Sequence, residues 1–231
     1  MNLPAFDRAL FVGLPYAAIS VCVLVSLQRY GWRIFTFSSL SSQFLENRTH
    51  FWALVPFHYG ILTVLLGHLI GFSVPRAVLA WNGRPLRLYI LEVAALGFGV
   101  LTLISMLALV NRRLVNAKVR TVTSAMDWIM FVVLLFQIGS GVYVAVFTPW
   151  GSTWYAAVAV PYLWSVFTLS PNTATVTQLP LAAQLHIVNA FLLIGLFPFT
   201  RLVHILVVPN PYLWRRPQVV RWYGNRPAVR P

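Results

Sequence analysis

Five histidines punctuate this chain, and four of them lie in long apolar runs: His58 and His68 in one, His186 and His204 in another. An ionisable side chain inside a bilayer is costly and marks function by default. One such histidine is explained by a hydrogen bond to a neighbouring helix. Four in two of the runs, with none in the others, point to a shared task. Imidazole ligates metals and is an axial ligand of b-type haem iron. A zinc or copper site needs ligands that converge on one point, and these four are spread over too much depth. A proton relay is the other chemistry open to them, yet the apolar runs hold few further ionisable groups: Glu92, Asp127 and Arg201. Two stacked haems use all four histidines. His50 precedes an apolar run in a basic loop and needs no special role.

Spacing refines this reading. His58 and His68 are ten residues apart, about 15 Å along a straight helix. His186 and His204 are eighteen apart, about 27 Å and five whole turns, so they share one face. Ten residues leave His58 and His68 about 80° apart around the axis. If the two helices run in opposite directions, matching by depth pairs His58 with His204 and His68 with His186. The two separations differ, and Pro198 between the second pair provides a kink. Gly60, Gly67, Gly71, Gly97, Gly99, Gly139 and Gly141 lie in the same runs. They either let a flat macrocycle approach or let helices pack closely.

The elements that must position these side chains are membrane helices. Hydrophobic residues make up 59% of the 231 and charged residues 9%, against about 25% charge in soluble domains. About 20 apolar residues cross the hydrocarbon core, and five stretches qualify: 9–27, 51–73, 88–110, 126–147 and 184–208. The fold class expected is therefore all-α, a bundle of five transmembrane helices in one membrane domain over 1–231, with a basic tail at 209–231. A shorter run at 155–169, interrupted by Pro161, reads as an interfacial or re-entrant segment. The surrounding 148–183 loop is rich in Trp and Tyr, as suits the membrane–water interface. No repeat, linker or second domain is apparent, and no secretory signal peptide is expected after MNLPAFDR. The one cysteine, Cys22, excludes an intrachain disulfide and a Cys-based cluster.

The net charge of +13 comes from 17 Lys+Arg against 4 Asp+Glu. These cations cluster between apolar runs, so they speak for topology and lipid headgroups rather than nucleic acid. The 28–50 loop, the 111–125 loop and the tail share one side and hold 12 of them, whereas the opposite side holds Arg8, Arg76, Arg84 and Arg87. The positive-inside rule then places the N-terminus outside and the C-terminus in the cytoplasm. His58 and His204 fall nearer the cytoplasm, and His68 and His186 nearer the outer side. Arg201, Arg112 and Arg113 are candidates to meet haem propionates.

Several runs carry a family resemblance. PFHYGILTVLLGHLIG, with His58 and His68, and LHIVNAFLLIGLFPFTRLVHILVVPNPYL, with His186 and His204, resemble the gamma subunit of respiratory nitrate reductase. NRRLVNAKVRTVTSAMDW, residues 111–128, is similar to that family's cytoplasmic loop, and Arg29, Tyr30, Trp32 and Arg33 match an early pattern of it. The resemblance implies a dihaem cytochrome b in the cytoplasmic (inner) membrane of a prokaryote. It would oxidise menaquinol or ubiquinol at the outer haem and pass electrons inward to an Fe–S subunit, then to a molybdopterin subunit that reduces nitrate. It also implies a basic residue beside the outer haem that holds the quinone oxygen. Aligned through Trp81, that residue is Arg87, where the family has lysine. Arginine keeps the charge but does not readily release a proton. Gly67, next to His68, is the other candidate to line the quinol pocket.

Three functions stay open on the sequence. The first is the quinol-oxidising subunit of a nitrate reductase. The second keeps the dihaem core in another quinone-linked complex, of sulfite- or heterodisulfide-reductase type or a nitrite-oxidising one. The third is a haem-free helical anchor or transporter with structural histidines. The basic tail would dock an Fe–S partner or bind anionic lipid.

Overall fold

Backbone N–H and C=O groups find no water in hydrocarbon, so an apolar chain segment there must coil into a helix that satisfies its own groups. The computed structural model describes residues 5–32 and 48–206. Among these it contains helices and no strand. Arg33, the side chain of His50 and the basic tail lie outside the described residues, as do residues 207–208 of the expected fifth span.

Helix α1, Leu14–Trp32, continues a turn at Ala5–Arg8 and a π-helical turn at Ala9–Gly13. Helix α2 is Arg48–Ser73 and leads through the short α3, Pro75–Asn82, into α4, Pro85–Val115. The short α5, Ala117–Thr121, precedes α6, Ala125–Phe147. Beyond it come α7, Gly151–Trp154, a π turn at Tyr155–Ala159, and α8, Val160–Phe167. Helix α9, Leu181–Leu196, ends the α-helical part of the chain described. Five stretches are long and apolar enough to cross a membrane: Ala5–Gly31, Phe51–Ser73, Pro85–Val115, Ala125–Phe147 and Leu181–Phe199. The chain is thus a multi-pass membrane protein. Its outward face carries large apolar residues such as Leu62, Leu65, Val93 and Ile104, as lipid requires.

Two corrections concern helix ends. The third span does not end at 110, because α4 runs on to Val115. Arg112 is buried there rather than spread among headgroups. The fifth span is not one helix from 184 to 208. Pro198 has no N–H and its ring would collide with the carbonyl four residues back. The α-helix stops at Leu196, and Phe197 N–H turns back to the Leu193 and Ile194 carbonyls. A 3-10 turn at Phe197–Phe199, an extended Thr200 and a second 3-10 turn at Arg201–Ile205 follow. His204 therefore does not share a helix face with His186, and the straight-helix distance of about 27 Å does not apply.

The broken end is capped from elsewhere. Arg29 on α1 donates to the Pro198 carbonyl, and the Thr200 hydroxyl accepts from Leu202 N–H at 3.3 Å. Helix α6 opens with a capping box, in which Ser124 Oγ accepts from Asp127 N–H and Asp127 Oδ2 accepts from Ser124 N–H. Helices α6 and α9 run antiparallel: Val133 meets Asn189 and Gln137 meets His186. Helices α2 and α4 are antiparallel too. Gly60 presses on Phe98 and Thr102, where a Cβ would fall 2.3 Å from Thr102 Oγ1.

The 151–167 segment is a packed buttress rather than a loop. Pro161 does not interrupt it: the π turn at Tyr155–Ala159 runs directly into α8, with Pro161 at its second position. Tyr162 is fully buried against Phe11, Val144 and Phe191. Pro15 has no N–H to offer the Phe11 carbonyl four residues back, and the Tyr162 hydroxyl donates to that carbonyl at 2.9 Å. Trp164 Nε1 donates to the Phe72 carbonyl at the end of α2, 3.0 Å away. Tyr162→Phe is expected to keep the fold and lower stability by about 1–3 kcal/mol, the cost of a buried carbonyl left without its partner. Thermal unfolding in detergent measures it.

Candidate functional site

Depth matching is what the antiparallel helices bring about. The ring centroids of His58 and His204 lie 6.1 Å apart with the ring planes at 71°, and those of His68 and His186 lie 6.4 Å apart with the planes at 34°. The two pairs sit at different depths between α2 and the fifth span. A metal–imidazole bond of about 2.0–2.1 Å, with the ring centre about 1.1 Å beyond the nitrogen, sets two opposed imidazole ligands about 6.3 Å apart. Both pairs have that spacing. Among the described residues no three His, Cys, Asp or Glu side chains converge. Each pair therefore offers two opposed ligands and no third, which suits an iron whose remaining ligands belong to a porphyrin.

Second partners set the rings. His58 Nδ1 lies 2.9 Å from the Leu54 carbonyl, His68 Nδ1 2.9 Å from the Val64 carbonyl and His204 Nδ1 2.8 Å from the Arg201 carbonyl. A carbonyl only accepts, so Nδ1 carries the proton in all three and Nε2 keeps its lone pair for a metal. His186 is held differently. Ser140 Oγ on α6 lies 3.0 Å from its Nδ1 and donates its own proton to the Gln137 carbonyl, so it is free to accept from Nδ1–H. The Gln137 amide nitrogen lies 3.2 and 3.1 Å from the two ring nitrogens. Asn189 holds that amide in turn, donating to Gln137 Oε1 at 2.7 Å. Gly141 lets the ring come close to α6, since a Cβ would come 3.0 Å from His186 Cε1.

The other candidates separate. Gly67 adjoins His68, and a Cβ there meets nothing within 4 Å. Of the remaining glycines, Gly60 and Gly71 serve close packing, against Thr102 and Tyr155. Arg87 lies at the first turn of α4 with its guanidinium 5.0 Å from the centre of the Trp81 ring, and its carbonyl accepts from Trp81 Nε1 at 3.3 Å. The structure thus gathers the four histidines into two pairs. Arg201 Nε pairs with Asp127 Oδ1 at 2.8 Å. Arg113 donates to Thr123 Oγ1 at 2.9 Å and lies over the Phe131 ring.

Sequence reasoning passed over Gln137, Ser140, Asn189 and Tyr155. Polar residues in an otherwise apolar span were a usable signal for the first three. Tyr155 carried none, because its role depends on the π turn that aims it at α2. Its ring lies 5.2 Å from that of His68, and its hydroxyl donates to the His68 carbonyl at 3.1 Å. Burial pushes the Tyr155 phenol up to about 12, so it stays a proton donor. On the same buttress, Glu92 Oε1 accepts from Ser152 N–H and Oγ at 2.8 and 2.6 Å, fixing α7 to α4.

The family model for the nitrate reductase gamma subunit matches residues 7–223. The respiratory nitrate reductase 2 gamma chain of Escherichia coli (strain K12) is 35% identical over 214 residues, which cover 90% of this chain and 93% of that one. The nitrate reductase gamma chain of Bacillus subtilis (strain 168) is 30% identical over 212 residues, covering 90% and 95%. The nitrate reductase-like protein NarX of Mycobacterium tuberculosis (strain CDC 1551 / Oshkosh) is 31% identical over 213 residues, but these are 87% of this chain and 32% of that protein. The chain therefore spans about a third of the length of that relative.

The His186 network yields a stability test. Ser140→Ala removes the acceptor of a buried ring N–H and is expected to cost about 1–3 kcal/mol in thermal unfolding in detergent. Ser140→Thr, which restores the hydroxyl, is expected to recover most of it.

Proposed function

The chain belongs to the nitrate reductase gamma subunit family, and from that premise we propose that it is the quinol-oxidising dihaem cytochrome b subunit of a respiratory nitrate reductase in the inner membrane. The observation that carries the reading is the pair of opposed imidazoles at each of two depths, spaced 6.1 and 6.4 Å between ring centroids. His58 and His204 would hold one b-type haem, and His68 and His186 the other. Two haems, when bound, supply one-electron redox centres that divide the membrane into steps short enough for electron transfer.

The protein's own residues do the rest. The Leu54, Val64 and Arg201 carbonyls keep the Nδ1 protons of His58, His68 and His204 in place, so these three rings present a basic Nε2. Positive-inside topology puts the His68–His186 pair nearer the outer face. Menaquinol or ubiquinol would be oxidised there, with its protons released outside. Arg87 and Gly67 are the residues we assign to the quinol pocket. The N-terminal turn of α4, which carries Arg87, lies at the same end of the antiparallel α2–α4 pair as His68. Arg112 and Arg113, at the opposite end of α4, would answer the propionates of the inner haem. The partners are an Fe–S subunit and a molybdopterin subunit on the cytoplasmic side.

Haem quantitation on the purified full chain is expected to give two b-type haems. His68→Ala and His204→Ala are each expected to retain one, and a reduced-minus-oxidised spectrum without haem would sink the proposal. Co-purification with a multi-cluster Fe–S subunit and a molybdopterin subunit would separate nitrate reductase from other quinone-linked complexes. Arg87→Ala is expected to slow quinol-driven haem reduction at least tenfold, about 1.4 kcal/mol, while both haems remain. Unchanged kinetics would remove Arg87 from the pocket.

A further inference from the structure

Three of the four histidines sit on α-helices whose hydrogen-bond ladders hold them. His204 does not. It lies beyond the break at Pro198, on a 3-10 turn of five residues, Arg201–Ile205. Such turns are short and have poorer hydrogen-bond geometry than an α-helix. Something outside the turn must hold His204 opposite His58, and the contacts converge on Arg201. Its carbonyl is the atom that His204 Nδ1–H bonds, at 2.8 Å. Its side chain crosses to the start of α6, where Nε meets Asp127 Oδ1 at 2.8 Å and Nη2 donates to the Val122 carbonyl at 3.0 Å. Asp127 is buried, with 3% of its surface exposed, and its second oxygen is fixed by Ser124 N–H at 2.9 Å.

We propose that the Asp127–Arg201 ion pair is the positioning device for His204: it ties the turn beyond the helix break to the capped end of α6 and thereby sets the direction of the ligand ring. Asp127 is a positioning residue and touches no reacting atom. Arginine suits the place because its planar fork reaches a carboxylate and a carbonyl at once. A lysine carries the charge without that fork. The inference rests on the dihaem reading above, and it assigns the two haems different supports. The His68–His186 haem depends on continuous helices, and the His58–His204 haem depends on the Asp127–Arg201 pair.

The test uses the full chain in native membranes and compares wild type with Asp127→Ala, Asp127→Asn, Arg201→Lys and Ser124→Ala. A His58→Ala chain marks the signal of the His68–His186 haem alone. Asp127→Ala is expected to lose more than half of the His58–His204 haem and to keep the other. Asp127→Asn preserves the bond to Ser124 N–H but not the charge. Asp127→Asn and Arg201→Lys are expected to bind haem there with a displaced midpoint potential and altered low-spin electron paramagnetic resonance g-values, which report ring orientation. Ser124→Ala, which removes only the cap, is expected to leave both signals in place. Two haems with unchanged potentials and g-values in the Asp127 variants would overturn the inference and leave the dihaem reading standing. Equal loss of both haems would also overturn it, because the pair would then support the bundle as a whole. A wild-type chain without haem would overturn the dihaem reading first and this inference with it.

Discussion

In hydrocarbon a polar group that lacks a partner has no water to turn to. Wherever a proline breaks the helical ladder, some carbonyl must therefore be served by another part of the chain. Pro15 leaves the Phe11 carbonyl, and Tyr162 comes from about 150 residues away to meet it. Pro198 ends α9, and Arg29 on α1 reaches the carbonyl exposed there. The same demand acts on the four histidines, each of which must place its Nδ1 proton before Nε2 is available to a metal. Much of the architecture consists of the answers to these local debts.

The answers are unevenly distributed. His58 and His68 take theirs from the helix that carries them, through the carbonyls of Leu54 and Val64. His186 draws on α6, through Ser140 and the Asn189-locked amide of Gln137. His204 uses the carbonyl of an arginine whose side chain is already paired with Asp127. The α2 ligands are thus self-supported, while those of the fifth span depend on α6. Helix α6 is in this sense the inner strut of the bundle, and its first turn carries the carboxylate that meets Arg201.

The 151–167 segment supplies a second strut. It seals the end of α2 through Trp164 and Phe72, sets Tyr155 against His68, and is itself tethered to α4 by Glu92. Two non-glycine residues with positive φ flank its helical part, Trp150 at 66° and Leu169 at 59°. Such strain persists only where surrounding contacts over-determine it. At Trp150 that contact is the Tyr89 ring, set edge to face with centroids 5.2 Å apart.

The sequence by itself determined that this is a helical membrane protein of five spans. Runs of about 20 apolar residues admit no other backbone solution in lipid. It also determined which histidines share a helix, and hence which pairs meet if those helices are antiparallel. These are consequences of composition and of distance along one chain segment. Only the tertiary structure decided what depends on contacts between segments far apart in sequence. It decided that the fifth span stops at Leu196, so that His204 stands on a separate turn, and that Arg201 answers Asp127. It decided too that Gly60 and Gly71 serve packing, while Gly67 faces open space beside His68. A proline announces that a ladder will break, but which distant side chain repairs it depends on how the helices come to lie beside one another, and no local pattern encodes that.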